Sequence, residues 1–186
     1  MEARPPPVIE QDLSCRRCGY NLRTLEITAR CPECGFPNLR TYIAAEAGVA
    51  PDVPLNATAV ARTAMLVLAR LLGRNVDAIH FVASAYRFAL RNRPASRGLF
   101  ATPASVSAAD LCSAIADYAL YHYGNRRDAV DTLRFWRIEG GEDVGQIVAG
   151  LVEAGLVQPA EGESPADFVG RFKLYELLPL VDPGRE

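Results

Sequence analysis

Beyond residue 57, apolar side chains recur at helical spacing through most of the chain. The pattern predicts a first helix from Thr58 to Leu72, stopped by Gly73. Arg62, Thr63, Arg70 and Arg74 fall within one arc and nearly everything else is apolar, so this helix is expected to be mostly buried. Asn75 is a suitable N-cap for a second helix that runs to about Asn92, ahead of Pro94. Its polar positions Asp77, His80, Ser84, Arg87 and Arg91 follow the spacing of a solvent stripe, while Ile79, Phe81, Val82, Tyr86, Phe88 and Leu90 supply core.

A loop rich in Pro, Ser and Gly leads to a third helix capped by Ser107, with Asp110 placed as in a capping box. Leu111, Ile115, Tyr118 and His122 share its inner face, and Gly124 ends it. Asn125 caps a short fourth helix, with Val130, Leu133 and Trp136 pointing one way. Gly140-Gly141 turns the chain into a fifth, Asp143 to Ala154, stopped by Gly155. Ser164-Pro165 reads as a further helix start, and Arg171 to Tyr175 alternates in the period of a strand. Helices followed by strand, loop and strand give a winged-helix-like order. The expectation is a mainly α chain in four parts. Residues 1–12 are a loose, proline-rich segment and 13–39 a small β zinc ribbon, with Tyr20 to Ile27 as its hairpin strand. Residues 40–57 are a linker, and 58–181 a helical, winged-helix-like domain with a short C-terminal β hairpin.

The ribbon rests on Cys15-Arg-Arg-Cys18 and Cys31-Pro-Glu-Cys34, two Cys-x-x-Cys pairs separated by twelve residues. That spacing is a zinc-ligand pattern, and four thiolates close a tetrahedron around Zn2+ with no position left for a reactant. Gly19 and Gly35 follow the pairs, where a metal knuckle favours positive φ. A redox-active pair is the rival, but such a motif opens a helix within a βαβ unit, which this pattern lacks. The zinc is therefore expected to be structural, and chelation to melt the ribbon while sparing the helical domain.

Composition adds charge asymmetry and a compartment. The chain has 186 residues and a formal net charge of −2, which argues against a generic nucleic-acid coat. Between Arg62 and Arg97 there are seven arginines against Asp77 alone, whereas Glu142 to Glu186 holds nine acids and three bases. The start lacks the apolar stretch of a signal peptide, and Ala57 to Leu72 is short and interrupted by arginines for a membrane span. Thiolate metal ligands without an export signal suit a reducing cytoplasm.

Arg16, Arg17, Arg23 and Arg30 surround the knuckles, and Arg87 and Arg91 lie on the second helix. They are the candidate macromolecule-binding residues, set against the simpler role of offsetting thiolate charge and solvating a face. If the sequence forms a winged helix, its recognition position falls on 142–153, which carries Glu142, Asp143 and Glu153 and no arginine. Phosphate would repel it, so a protein partner is favoured over duplex DNA. His80 is expected to be exposed and His122 to face the core or the helix dipole. Cys112 is expected to be a buried apolar side chain, and the pairs Asp128/Asp131 and Glu142/Asp143 to complement helix N-termini. No catalytic residue is expected.

Several stretches carry a resemblance. Phe81 to Leu90, Val106 to Leu111, Trp136-Arg-Ile, Glu142 to Val148 and Leu151 to Leu156 together resemble an uncharacterised repeat-protein family of planctomycetes and verrucomicrobia, over roughly residues 75–178. Where that family has a basic pair, this chain has Arg137-Ile-Glu-Gly-Gly-Glu-Asp143. The ribbon, Cys18-Gly-Tyr-Asn-Leu-Arg-Thr-Leu25 with Cys31-Pro-Glu-Cys34-Gly, is similar to one common in the same bacteria. The resemblance implies domain boundaries and no activity. The sequence thus points to a non-enzymatic zinc-ribbon adaptor that binds a protein. The alternative is a nucleic-acid- or ribosome-associated factor using the arginines.

Overall fold

In the computed structural model, residues 6–50, 58–92, 106–158, 162–171 and 173–174 are described. They form a mainly α protein. The helices are α1 (Asn38–Glu46), α2 (Thr58–Leu72), α3 (Val76–Asn92), α4 (Ala108–Tyr123), α5 (Arg126–Phe135) and α6 (Gly141–Glu153), followed by a single 3-10 turn at Pro165–Phe168. Among the described residues no helix is long and apolar enough to cross a membrane.

The helix starts follow from their caps. The Ser107 hydroxyl accepts the Asp110 N–H at 3.1 Å and the Asn125 side-chain Oδ1 accepts the Asp128 N–H at 2.9 Å. Each satisfies a donor that the first turn leaves without an intrahelical acceptor. Asp143 Oδ2 accepts from the N–H groups of Glu139 and Gly140 at 2.9 and 3.2 Å, so α6 begins two residues ahead of its expected start. Gly141 and Gly145 lie one turn apart on α6. A Cβ on Gly141 would run into the Phe168 carbonyl oxygen, and one on Gly145 would come within 2.9 Å of the Pro165 carbonyl oxygen. The two glycines form the seat for the 3-10 turn.

Three expectations are corrected at the amino-terminal end. Residues 6–12 are not loose, because Ile9 is fully buried and exchanges hydrogen bonds with the chain opposite. Its N–H donates to Leu25 O at 2.9 Å, and its carbonyl accepts from Thr24 at 2.8 Å. The stretch 40–57 opens with most of α1 rather than with linker; residues 51–57 lie outside the described ones. Tyr20–Ile27 is not a continuous strand. Asn21 and Glu26 make isolated antiparallel bridges to Ser14 and Val8, and Thr24 between them turns through a left-handed φ of 67°.

At the other end, Lys173 bridges Gly140, and Leu174 N–H donates to Glu139 O at 2.8 Å. The rest of the expected C-terminal hairpin (residues 172 and 175 onward) lies outside the described residues.

One apolar core runs through the protein. Ile9, Leu22, Ile27, Leu39 and Ile43 of the amino-terminal module belong to the same cluster as Leu68, Ile79, Leu111, Leu133, Ile147 and Leu151. Helix α1 packs on α2, and α6 lies against α2, α3 and the 3-10 turn. The module is therefore docked on the helical body as well as joined to it.

Candidate metal centre

The two cysteine pairs adopt matching loops. In the first, Cys15 N–H donates to Tyr20 O at 2.8 Å and Gly19 N–H donates to Cys15 O at 2.9 Å. In the second, Cys31 N–H donates to Phe36 O at 2.9 Å and Gly35 N–H to Cys31 O at 2.8 Å. Gly19 and Gly35 have φ of 78° and 70°, with open space where a Cβ would stand. Glycine is thus favoured there by the dihedral and not by lack of space. The bridges Ser14–Asn21 and Arg30–Pro37 close the loops at their bases.

This repetition aims four sulfurs at one point. Cys15 Sγ lies 3.7 Å from Cys34 Sγ, and Cys18 Sγ lies 3.6 Å from Cys31 Sγ. All four lie within 4.8 Å of one another and none is bonded to another sulfur. A tetrahedral ion with metal–sulfur bonds of about 2.3 Å has sulfur–sulfur edges of about 3.8 Å. Both cross-pairs already stand close to that length, so the cluster can hold a metal ion. Cys15 and Cys31 are buried, Cys34 half-buried and Cys18 exposed. Among the described residues this is the one such convergence of three or more Cys, His, Asp or Glu side chains.

Crowding splits the thiols. For Cys31, burial works against ionisation, but the backbone N–H groups of Cys34 and Glu33 and the neighbouring thiols bring it down to about 7. For Cys18 the Tyr20 backbone pulls downward, yet lost hydration and the other three sulfurs push it up to about 12. Cys34 is raised as well, despite a lowering contact from the Phe36 backbone. Sulfurs this close resist carrying several negative charges together, and a bound cation removes that resistance while releasing protons.

The arginines around the knuckles divide. Arg30 bonds Gly35 O at 3.3 Å and the Glu153 carboxylate at 2.9 Å, which ties the second knuckle to the end of α6. Arg23 lies 3.7 Å from Asp12 at the surface. Arg17 is exposed, and the half-buried Arg16 donates its backbone N–H to Thr41 Oγ1 at 3.4 Å. Arg87 and Arg91 are exposed on α3 and Arg62 is exposed on α2, whereas Arg70 and Arg74 are engaged. Arg70 pairs with Glu46 at 3.4 Å, and Arg74 bonds the Arg137 carbonyl oxygen, Asp143 and Gln146 at 2.5, 2.6 and 3.0 Å. Arg93 and Arg97 lie outside the described residues.

Sequence reasoning missed Arg40. Projecting from α1, its guanidinium donates to the Glu153 and Val152 carbonyl oxygens at 2.9 and 3.1 Å. The last turn of α6 has no basic residue of its own. Arg40 supplies the positive charge that a helix C-terminus favours. The only available signal was that deficit, and nothing in the sequence said which arginine would fill it.

The minor candidates are placed as follows. Cys112 is buried, and burial with Glu163 nearby lifts its thiol to about 11 against the lowering influence of Arg171. His80 is exposed as expected. His122 is exposed too, which corrects its placement on the inner face; its ring lies 5.7 Å from Tyr118 and 4.9 Å from Tyr123. Asp143 serves as a cap acceptor, the Asp128 carboxylate accepts from the Asn125 side-chain amide at 2.7 Å, and Asp131 lies 4.0 Å from Arg127. No family model, no curated protein and no solved structure matches this chain.

Proposed function

We propose that this protein is a non-enzymatic adaptor in which structural zinc braces a small ribbon docked on a helical body that binds another protein. The observation that carries it is the donor set: four cysteine sulfurs already near tetrahedral spacing, with no other ligand group converging on them among the described residues. Such a set favours zinc or iron over harder cations, and it leaves no open coordination site for a substrate.

A protein partner is favoured over nucleic acid because much of the positive charge is already engaged internally. Arg30, Arg40, Arg70 and Arg74 all hold groups of this chain. The body meanwhile exposes Tyr121 on α4 and Phe135 on α5, each 77% accessible, as aromatic anchors of the kind that dominate protein interfaces. The order α4, α5, α6 with the Gly140–Lys173 bridge supports a winged-helix-like arrangement, and the exposed acid Glu142 on α6 suits a protein ligand.

Elemental analysis of the purified chain tests the metal. One zinc per chain is expected, and a visible sulfur-to-iron absorption band would replace zinc with iron. A photo-crosslinking side chain at Tyr121 or Phe135 tests the partner in cells: a discrete protein adduct is expected. Recovery of nucleic acid instead, with affinity falling steeply as salt is raised, would overturn the adaptor reading.

A further inference from the structure

We propose that the recess between α3, α4 and Trp136 binds an alkylated ammonium group. The site is separate from the metal centre and rests on different residues. Its volume is about 260 Å³, below the ~300–1,000 Å³ of pockets for drug-sized ligands, so it fits a headgroup rather than a cofactor.

The floor is aromatic. Phe81 is 4% accessible, and its ring lies 5.3 Å from Tyr118, 5.6 Å from Trp136 and 6.4 Å from Tyr123. Those three rings are half-buried, leaving part of each open to the recess. Among the described residues Asp77, in the first turn of α3, is the one carboxylate lining it, and no arginine or lysine does. Among the described residues that carboxylate has no hydrogen-bond or ion-pair partner. Its field nevertheless reaches the rings. The Tyr123 phenol is raised by burial first, and further by Tyr118 and Asp77.

Charge and hydration select the ligand. An anion meets Asp77 with no compensating cation, and a neutral apolar group gains nothing from it. A cation over aromatic faces is attracted by their quadrupoles, and most strongly by tryptophan. The C-terminus of α4, where His122 and Tyr123 stand, adds the negative end of a helix dipole. A bare ammonium is strongly hydrated and would have to surrender that water. Alkyl groups on the nitrogen leave the charge and replace the water with a surface the rings can touch.

Trp136 is the only tryptophan in the chain, so its emission reports on the recess. The metal-loaded full chain is titrated with choline, with choline's uncharged tert-butyl analogue, and with a short trimethyllysine peptide. Choline or the peptide should change the emission saturably, and the choline methyl protons should shift upfield in NMR from ring currents. The uncharged analogue should bind about thirtyfold more weakly. Asp77→Asn, with unchanged circular dichroism, should weaken the cation roughly fivefold. Either cation binding more tightly supports the proposal and assigns its source, a free small molecule or a modified protein side chain. Equal binding of the uncharged analogue, an unaffected Asp77→Asn variant, or no saturable response in emission or NMR would overturn it.

Discussion

The amino-terminal module and the helical body hold their shapes by opposite means. Among the described residues the module has three isolated β-bridges, one nine-residue helix and a handful of large buried side chains. That is too little apolar area to fix a fold by itself, a shortage that small domains meet with a metal or a disulfide. The body packs five helices around Leu68, Ile79, Leu111, Ile115, Leu133, Ile147 and Leu151, and needs no such aid. The difference teaches where the dependence lies. Four sulfurs set the loops of the module, but its side chains Ile9, Leu22 and Ile43 complete a core that belongs to both regions. Independent melting, as the sequence suggested, does not suit a shared core.

Metal removal is the strongest way to break the comparison. Zinc binding to comparable peptides is worth roughly 10–16 kcal/mol. Stripping the metal should therefore disorder the module and lower the melting temperature of the whole chain by more than ~10 °C, at ~2–4 °C per kcal/mol. Calorimetry checks this; an untouched helical transition would restore the picture of two independent units. Next, Ile43→Ala, which empties a fully buried position on α1, should cost about 2–5 kcal/mol in urea unfolding. A value near zero would mean that α1 does not share the core.

The arginines sharpen the contrast between contacts that hold the regions together and contacts that decorate them. Arg40→Ala removes two partly buried charged hydrogen bonds and should cost about 1.5–3 kcal/mol. Arg30→Ala breaks an exposed pair and should cost less than ~1 kcal/mol. Equal effects would contradict that ranking. The smallest effect is chemical. With its thiol raised to about 11, Cys112 is almost wholly protonated at pH 8, so iodoacetamide should label it slowly in the folded protein. Its labelling rate should climb toward pH 11 rather than 9, read by mass spectrometry of the metal-loaded chain.

Much of the body was legible because its signals are local. Periodicity and the caps Asn75, Ser107 and Asn125 placed α2 to α5 closely, and Gly73, Gly124 and Gly155 marked stops. The cysteines were legible for the same reason, since ligand spacing within a knuckle is a property of a few consecutive residues. Helix α1 was missed because Pro37 at its cap offers no side-chain acceptor and the following Gly48 and Pro51 suggest a linker. Ile9 was missed because its burial depends on Leu25 and on a core assembled from distant segments. The clasps of Arg40 and Arg74 and the recess around Trp136 join residues far apart in sequence, and no local pattern encodes such meetings.

Helix ends are ordinarily where backbone amides open first and exchange their hydrogens with water. Helix α6 is closed at both: Arg74 grips the Asp143 carboxylate that caps its start, and beyond Arg40 the Leu156 N–H returns to Leu151 O at 2.9 Å. Fraying of α6 requires displacement of a guanidinium carried by another element. Deuterium uptake in its last turn should therefore run at the pace of subglobal opening, making this helix a slow clock for the protein's internal motion.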